Sequence, residues 1–146
     1  MVRFKVVDNR ASIAAKLKKL ENTIDDFSQE YMRGMANSIV LDSPVDTGTY
    51  MEAHRIGPTP ASGSMSSRGK PKNQPFGTVA QSELNRLYID IDRLEGVELN
   101  TIYFSNIAEH ATEVEYQHGY EVYSRARNKS PRIATEAAAR AKARNR

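Results

Sequence analysis

With 146 residues, 39% of them hydrophobic and 27% charged, and no tryptophan, the chain fits a single domain with a lean core. The absence of cysteine excludes disulfides, thiolate metal sites and cysteine nucleophiles, and no stretch approaches the ~20 apolar residues of a membrane-spanning helix. The net charge of +3 is uneven: residues 125–146 hold eight Lys or Arg against Glu136 alone, a local +7 that leaves −4 for the remaining 124 residues.

A lean, alanine-containing core predicts that neighbouring subunits supply part of the stabilisation. The opening MVRFKVVDNR lacks the apolar run of a secretion signal, so a chain working in water is expected. Val2, Phe4 and Val6 alternate with Arg3 and Lys5 over residues 2–7, which predicts a half-buried strand. From Ile13 the apolar residues recur as Leu17, Leu20, Ile24, Phe27, Tyr31, Met35 and Ile39, in steps of three or four that place them on one helical face. A helix over about 11–41 follows, capped by Asp8, Asn9 or Ser12 and ended by Ser43-Pro44; Gly34 inside it marks a close contact or a bend.

In the SPVDTG turn, Pro44 fixes one backbone angle, Asp46 accepts backbone hydrogen bonds and Gly48 tolerates positive φ; Val45 and Thr47 complete it. Residues 57–79 then hold four of the eight glycines and four of the six prolines, with Phe76 as the one aromatic and Arg68, Lys70 and Lys72 without an acid. This composition predicts a flexible loop that orders against a partner. Leu84, Leu87, Tyr88, Ile91 and Leu94 fit a short second helix ending at Gly96. VELNTIYF at 97–104 reads as a central strand, AEHATEVEY at 108–116 as a short helix broken by Gly119, and YEVYSRA as another strand. Ser130-Pro131 is a cap and first-turn pair, so a basic C-terminal helix is expected over 130–146. The sum is an α+β single domain over 1–146, with the long N-terminal helix packed on a small antiparallel sheet.

Four segments carry candidate chemistry. Glu109, His110, Glu113, Glu115 and His118 invite a metal, yet helical spacing sets Val114, not a second histidine, on the face of His110, and a polar surface explains them more simply. Asp42, Asp46, Glu52 and His54 suggest an acid/base pair, but turn chemistry accounts for the same residues. GSMSSRGK lacks the spacing of a phosphate-binding loop. Arg132, Arg140, Lys142, Arg144 and Arg146 could contact phosphates, although no aromatics interleave with them to stack bases. No catalytic residue, cofactor or metal is therefore assigned.

SPVDTGTYMEAHRI after a long helix is similar to the Pro-Val-Asp-Thr-Gly signature of the tail-completion, or neck, proteins that join head to tail in long-tailed bacteriophages. The family's later pieces have counterparts in TIYFSN with Asn106 and in HATEVEYQHG with Ala111, Glu115 and Gly119, in the same order across about 11–140. His110 stands where the family usually has tyrosine, Gly119 lies four residues past Glu115 where the family spacing is two, and a tryptophan common after the signature is absent. The resemblance implies an α+β fold and a non-enzymatic virion protein, assembled in the host bacterial cytoplasm. It further implies a ring of identical copies, six by family habit, contacting a connector and a tail tube or tail terminator, with DNA passing through the lumen and no membrane involved. Arg68, Lys70, Lys72, Phe76, Arg132, Arg140, Lys142 and Arg144 are the expected contact residues; the rival expectation is a small DNA-binding protein using the basic helix.

Overall fold

The computed structural model describes residues 10–96 and 101–146. The strand expected over 2–7, and 97–100 of the strand expected over 97–104, lie outside the described residues. Helix α1 runs Arg10–Leu41, within a residue of the periodicity's limits, and is followed by a one-turn helix α2 (Thr49–Glu52), strand β1 (His54–Gly57) and helix α3 (Phe76–Asp92). Strand β2 (Tyr103–Asn106), a π-helical turn at Glu113–Gln117 and helix α4 (Val122–Arg144) complete the chain. The architecture is the mixed helix-and-sheet class that the sequence predicts. β1 and β2 pair antiparallel, with His54 opposite Asn106 and Gly57 opposite Tyr103.

Helix α1 packs most extensively on α4 and next on α3. Met32, Ala36, Ile39 and Val40 of α1 meet Leu87 and Ile91 of α3, Tyr50, Met51 and Ala53, and Val122 and Ala126 of α4 in one core. Gly34 is the close contact its position predicts: a Cβ there would sit 2.5 Å from Ile133 Cγ2 on α4. The amphipathic face of α1 is covered only in part, because Ile13, Leu17, Leu20 and Ile24 at its N-terminal end remain exposed.

Residues 120–126 are a correction. Of the segment expected as a strand, residues 122–126 are the first turn and a half of α4, because Val122, Ala126, Ile133, Ala137 and Ala141 form a single buried stripe that a helix alone can lay along α1. Pro131 therefore lies inside the helix and starts nothing; it removes one backbone donor, a loss that packing against α1 outweighs. Ser130 does not cap, since its hydroxyl bonds the Tyr31 hydroxyl at 2.9 Å across the helix pair.

The start of α4 is held by a distant side chain. Both Glu115 oxygens accept the Tyr123 amide, at 3.0 and 3.2 Å, and Oε1 also accepts the Ser124 amide at 3.1 Å. Two orphan donors of the first turn are thus satisfied by a buried carboxylate at the positive end of the helix dipole. Glu115→Ala is expected to cost about 1–3 kcal/mol, as for other lost hydrogen bonds to a charged group, read as a lower urea midpoint at unchanged slope.

Helix α3 starts at Phe76, well before the expected second helix, so the last residues of the 57–79 loop are helical. Pro75 precedes it in the extended geometry typical of a helix entry.

Candidate functional site

The Pro44–Gly48 turn forms one wall of an open cleft of about 600 Å³, with His110, Glu113, His118 and Tyr120 on the opposite side. Gly48 adopts φ +82° at the start of α2, a left-handed conformation that favours glycine, and its absent Cβ leaves room for Glu52 and Val79. The Thr47 hydroxyl accepts the Thr49 amide at 3.3 Å and reaches the Thr49 hydroxyl at 2.9 Å. Val45 leans on the core.

Asp46 organises the segment expected to be a free loop. Its Oδ1 accepts the Asn73 amide at 3.0 Å, and its carbonyl accepts the Gln74 amide at 2.8 Å. Met65 bridges to Ala108 in parallel, donating to the Ile107 carbonyl and accepting the Glu109 amide, and Lys70 pairs with Glu52 at 3.1 Å. The segment expected to order against a partner makes contacts with its own chain, through backbone groups, the Lys70 ion pair and the partly buried Met65. Arg68 remains in this segment, and Phe76, 41% exposed, opens α3.

The four groups of the suggested acid/base pair are not brought together. Asp42 pairs with Lys129 at 2.7 Å, Asp46 holds the loop, and Glu52 holds Lys70. His54 is fully buried and bonds Ser43 Oγ at 2.7 Å, Tyr123 Oη at 2.8 Å and Asn106 Nδ2 at 3.2 Å.

A serine beside a histidine is the arrangement of a nucleophile and its base, but the proton inventory points elsewhere. The Ser43 hydroxyl donates to the Ile39 carbonyl, so its oxygen accepts Nε2–H from His54. Nδ1 is then the acceptor for the Tyr123 hydroxyl and for one N–H of Asn106, whose other N–H goes to the Tyr50 carbonyl at 2.8 Å. Every hydrogen-bonding group of a neutral imidazole is satisfied, and the nitrogen facing serine carries the proton instead of a free lone pair. Burial, then the charges of Arg86 and Arg55, lower the His54 pKa to about 3. Burial also raises the Tyr123 and Tyr50 hydroxyls above the ordinary tyrosine range, with smaller contributions from neighbours that include Glu115. The cluster is a structural knot joining the end of α1, both strands and α4.

Arg86 closes the knot from α3. One guanidinium nitrogen donates to the Glu52 and His54 carbonyls at 3.2 and 2.8 Å, and Nε donates to Glu83 at 2.7 Å. The sequence offered no local signal for this knot, because Ser43, His54, Asn106 and Tyr123 converge from across 80 residues.

The polar stretch 109–118 divides among separate tasks. Glu115 caps α4, while His110, Glu113 and His118 face the cleft. Among the described residues, no group of three or more His, Asp or Glu side chains is arranged to hold a metal. The basic C-terminal residues also divide: Arg140 and Arg144 reach Glu30 of α1 at 3.5 and 2.6 Å, Arg132 pairs loosely with Glu136, and Lys142 borders a small apolar groove. Half of the local positive charge therefore has acidic partners on its own chain, an arrangement that a sum over residues 125–146 does not reveal. No protein-family model, curated protein or solved structure matches the chain.

Proposed function

We propose that the chain is a non-enzymatic virion subunit of a long-tailed bacteriophage, a tail-completion or neck protein that forms a homo-oligomeric ring at the head-tail joint. In this reading the ring, of six copies by the family's habit, joins the connector to the tail tube or tail terminator and lets DNA pass without specific binding. One observation supports it: several of the signature-like residues serve backbone geometry. Asp46 holds loop amides, Asn106 bonds the Tyr50 carbonyl and the Ala108 amide, and Glu115 caps α4. Of the residues that look catalytic in the sequence, Asp46 and Glu115 hold backbone amides, Asp42 and Glu52 form ion pairs and His54 is bonded inside the core, which suits a subunit with a geometric role.

The DNA-binding alternative draws less support, because Arg140 and Arg144 must leave Glu30, a carboxylate with 9% side-chain exposure, before they can bind phosphate. The deciding experiment is electron microscopy of particles produced without the protein. Filled heads and complete tails that fail to join are expected; normal joined, infectious particles would overturn the proposal.

A further inference from the structure

The two edges of the β1–β2 ribbon are not alike. In an antiparallel pair, residues whose main-chain groups face the partner strand alternate with residues whose groups face away. The Ile107 amide donates to the Ala53 carbonyl, which sets Ser105 and Tyr103 facing β1 and leaves the main-chain groups of Phe104 and Asn106 pointing outward. By the same alternation His54 points outward from β1, and there Arg86 closes the edge by donating to the His54 carbonyl at 2.8 Å. The β2 edge has no such cover: among the described residues, no main-chain N–H or C=O of Phe104 or Asn106 has a partner on that side. A groove of about 210 Å³ separates it from the Ala111–Tyr116 turn. Unpaired donors and acceptors beside a groove are what an extended segment uses to add as a further strand.

The faces of the ribbon say what that segment must look like. Ile56 and Phe104, opposite each other, pack against the core, whereas Tyr103 on the other face is 40% exposed. An added strand therefore needs apolar side chains at alternate positions and polar ones between them. Residues 2–7 have this pattern, with Val2, Phe4 and Val6 alternating with Arg3 and Lys5.

Chain length excludes the edge of the same copy. Helix α1 begins at Arg10 and runs 32 residues, about 48 Å, before Ser43 bonds His54 opposite Asn106. The four residues of β2 recover only about 13 Å of this, and the three steps from Val7 to Arg10 span at most about 11 Å. We infer that residues 2–7 of one copy add to the outer edge of β2 in a second copy, with Val2, Phe4 and Val6 on the core side. Donor segment and acceptor edge are different surfaces, so the contact runs head to tail. The inference does not rest on the virion reading, because any head-to-tail assembly of this chain would satisfy it.

Amide hydrogen exchange of the full chain tests it. Where sedimentation velocity shows oligomers, the Phe104 and Asn106 amides should be protected, and dilution to monomer should speed their exchange by at least about 100-fold. Phe4→Asp with Val6→Asp should expose both amides and give a monomer, because charge is forced onto the apolar face. The urea midpoint of the dilute monomer should stay unchanged, which separates lost docking from lost folding. The chain has no cysteine, so Ser105→Cys chains mixed with Arg3→Cys or with Lys5→Cys chains should form a mixed disulfide in one of the two registers. A chain that is still monomeric at about 100 µM overturns the inference, as do freely exchanging Phe104 and Asn106 amides in the oligomer. A Ser105→Cys homodimer in place of the mixed disulfide, which would mean β2 against β2, also overturns it. So does a ring that keeps its size and its protected amides in the Phe4→Asp, Val6→Asp chain, a result that would leave the virion reading standing.

Discussion

Lowering the pH from 6.5 toward 3 is expected to remove on the order of 4–5 kcal/mol of folding stability through His54 alone. The folded protein holds this imidazole neutral, with a pKa pushed down to about 3 by burial and by Arg86 and Arg55, whereas the unfolded chain titrates it near 6.5. Between those values the unfolded state binds a proton that the folded state refuses. Stability is thus fully present above 6.5 and falls progressively with pH, by at most about 1.4 kcal/mol per unit for one proton.

The interval from 6.5 to 5 isolates the effect, because it lies above the range in which ordinary carboxylates titrate. Urea midpoints measured at pH 7, 6 and 5 should drop steadily, and a flat profile would contradict a neutral, fully bonded histidine. His54→Phe should abolish this limb. At pH 7 it should itself cost about 2–4 kcal/mol, because the Tyr123 hydroxyl and one Asn106 N–H lose their acceptor inside the core.

Substituting Gly34 gives the second large effect. A methyl group there would sit 2.5 Å from Ile133 Cγ2, and that atom hangs on a β-branched carbon that cannot swing aside without a change of rotamer. Alanine in mid-helix normally gains about 1 kcal/mol over glycine, so the two effects oppose each other. Overpacking costs about 1–3 kcal/mol and should win, making Gly34→Ala a net loss of up to about 2 kcal/mol and Gly34→Val a larger one. Pairing Gly34→Ala with Ile133→Ala should recover at least about 1 kcal/mol of the sum of the single losses in a double-mutant cycle of urea melts. A stabilised Gly34→Ala protein would show that α1 and α4 do not approach this closely.

Periodicity located α1 almost to the residue, since a long apolar stripe is a local signal that tertiary contacts reinforce. The same reasoning misassigned residues 120–126. Alternating Tyr120, Val122 and Ser124 resemble a strand locally, but the stripe that decides the matter spans Val122 to Ala141 and passes through a proline. Strand β1 left no local signal either: four residues beside a short helix are too few for alternation to register. The Pro44–Gly48 turn was legible because proline fixes its own φ and glycine accepts a positive one, both local properties. The partners of Asp46, at Asn73 and Gln74, were not.

What the sequence determined by itself was every feature whose cause lies within a few residues: the long helix, the tight turn, the unusual composition of 57–79 and the basic end. The tertiary structure alone decided that His54 is a buried, fully bonded knot, that Glu30 occupies two of the arginines, and that the apolar stripe of α1 stays exposed at its N-terminal end among the described residues. Each of those depends on desolvation and on partners far apart in the chain, and burial, unlike backbone preference, belongs to the assembled fold and to no single segment of it.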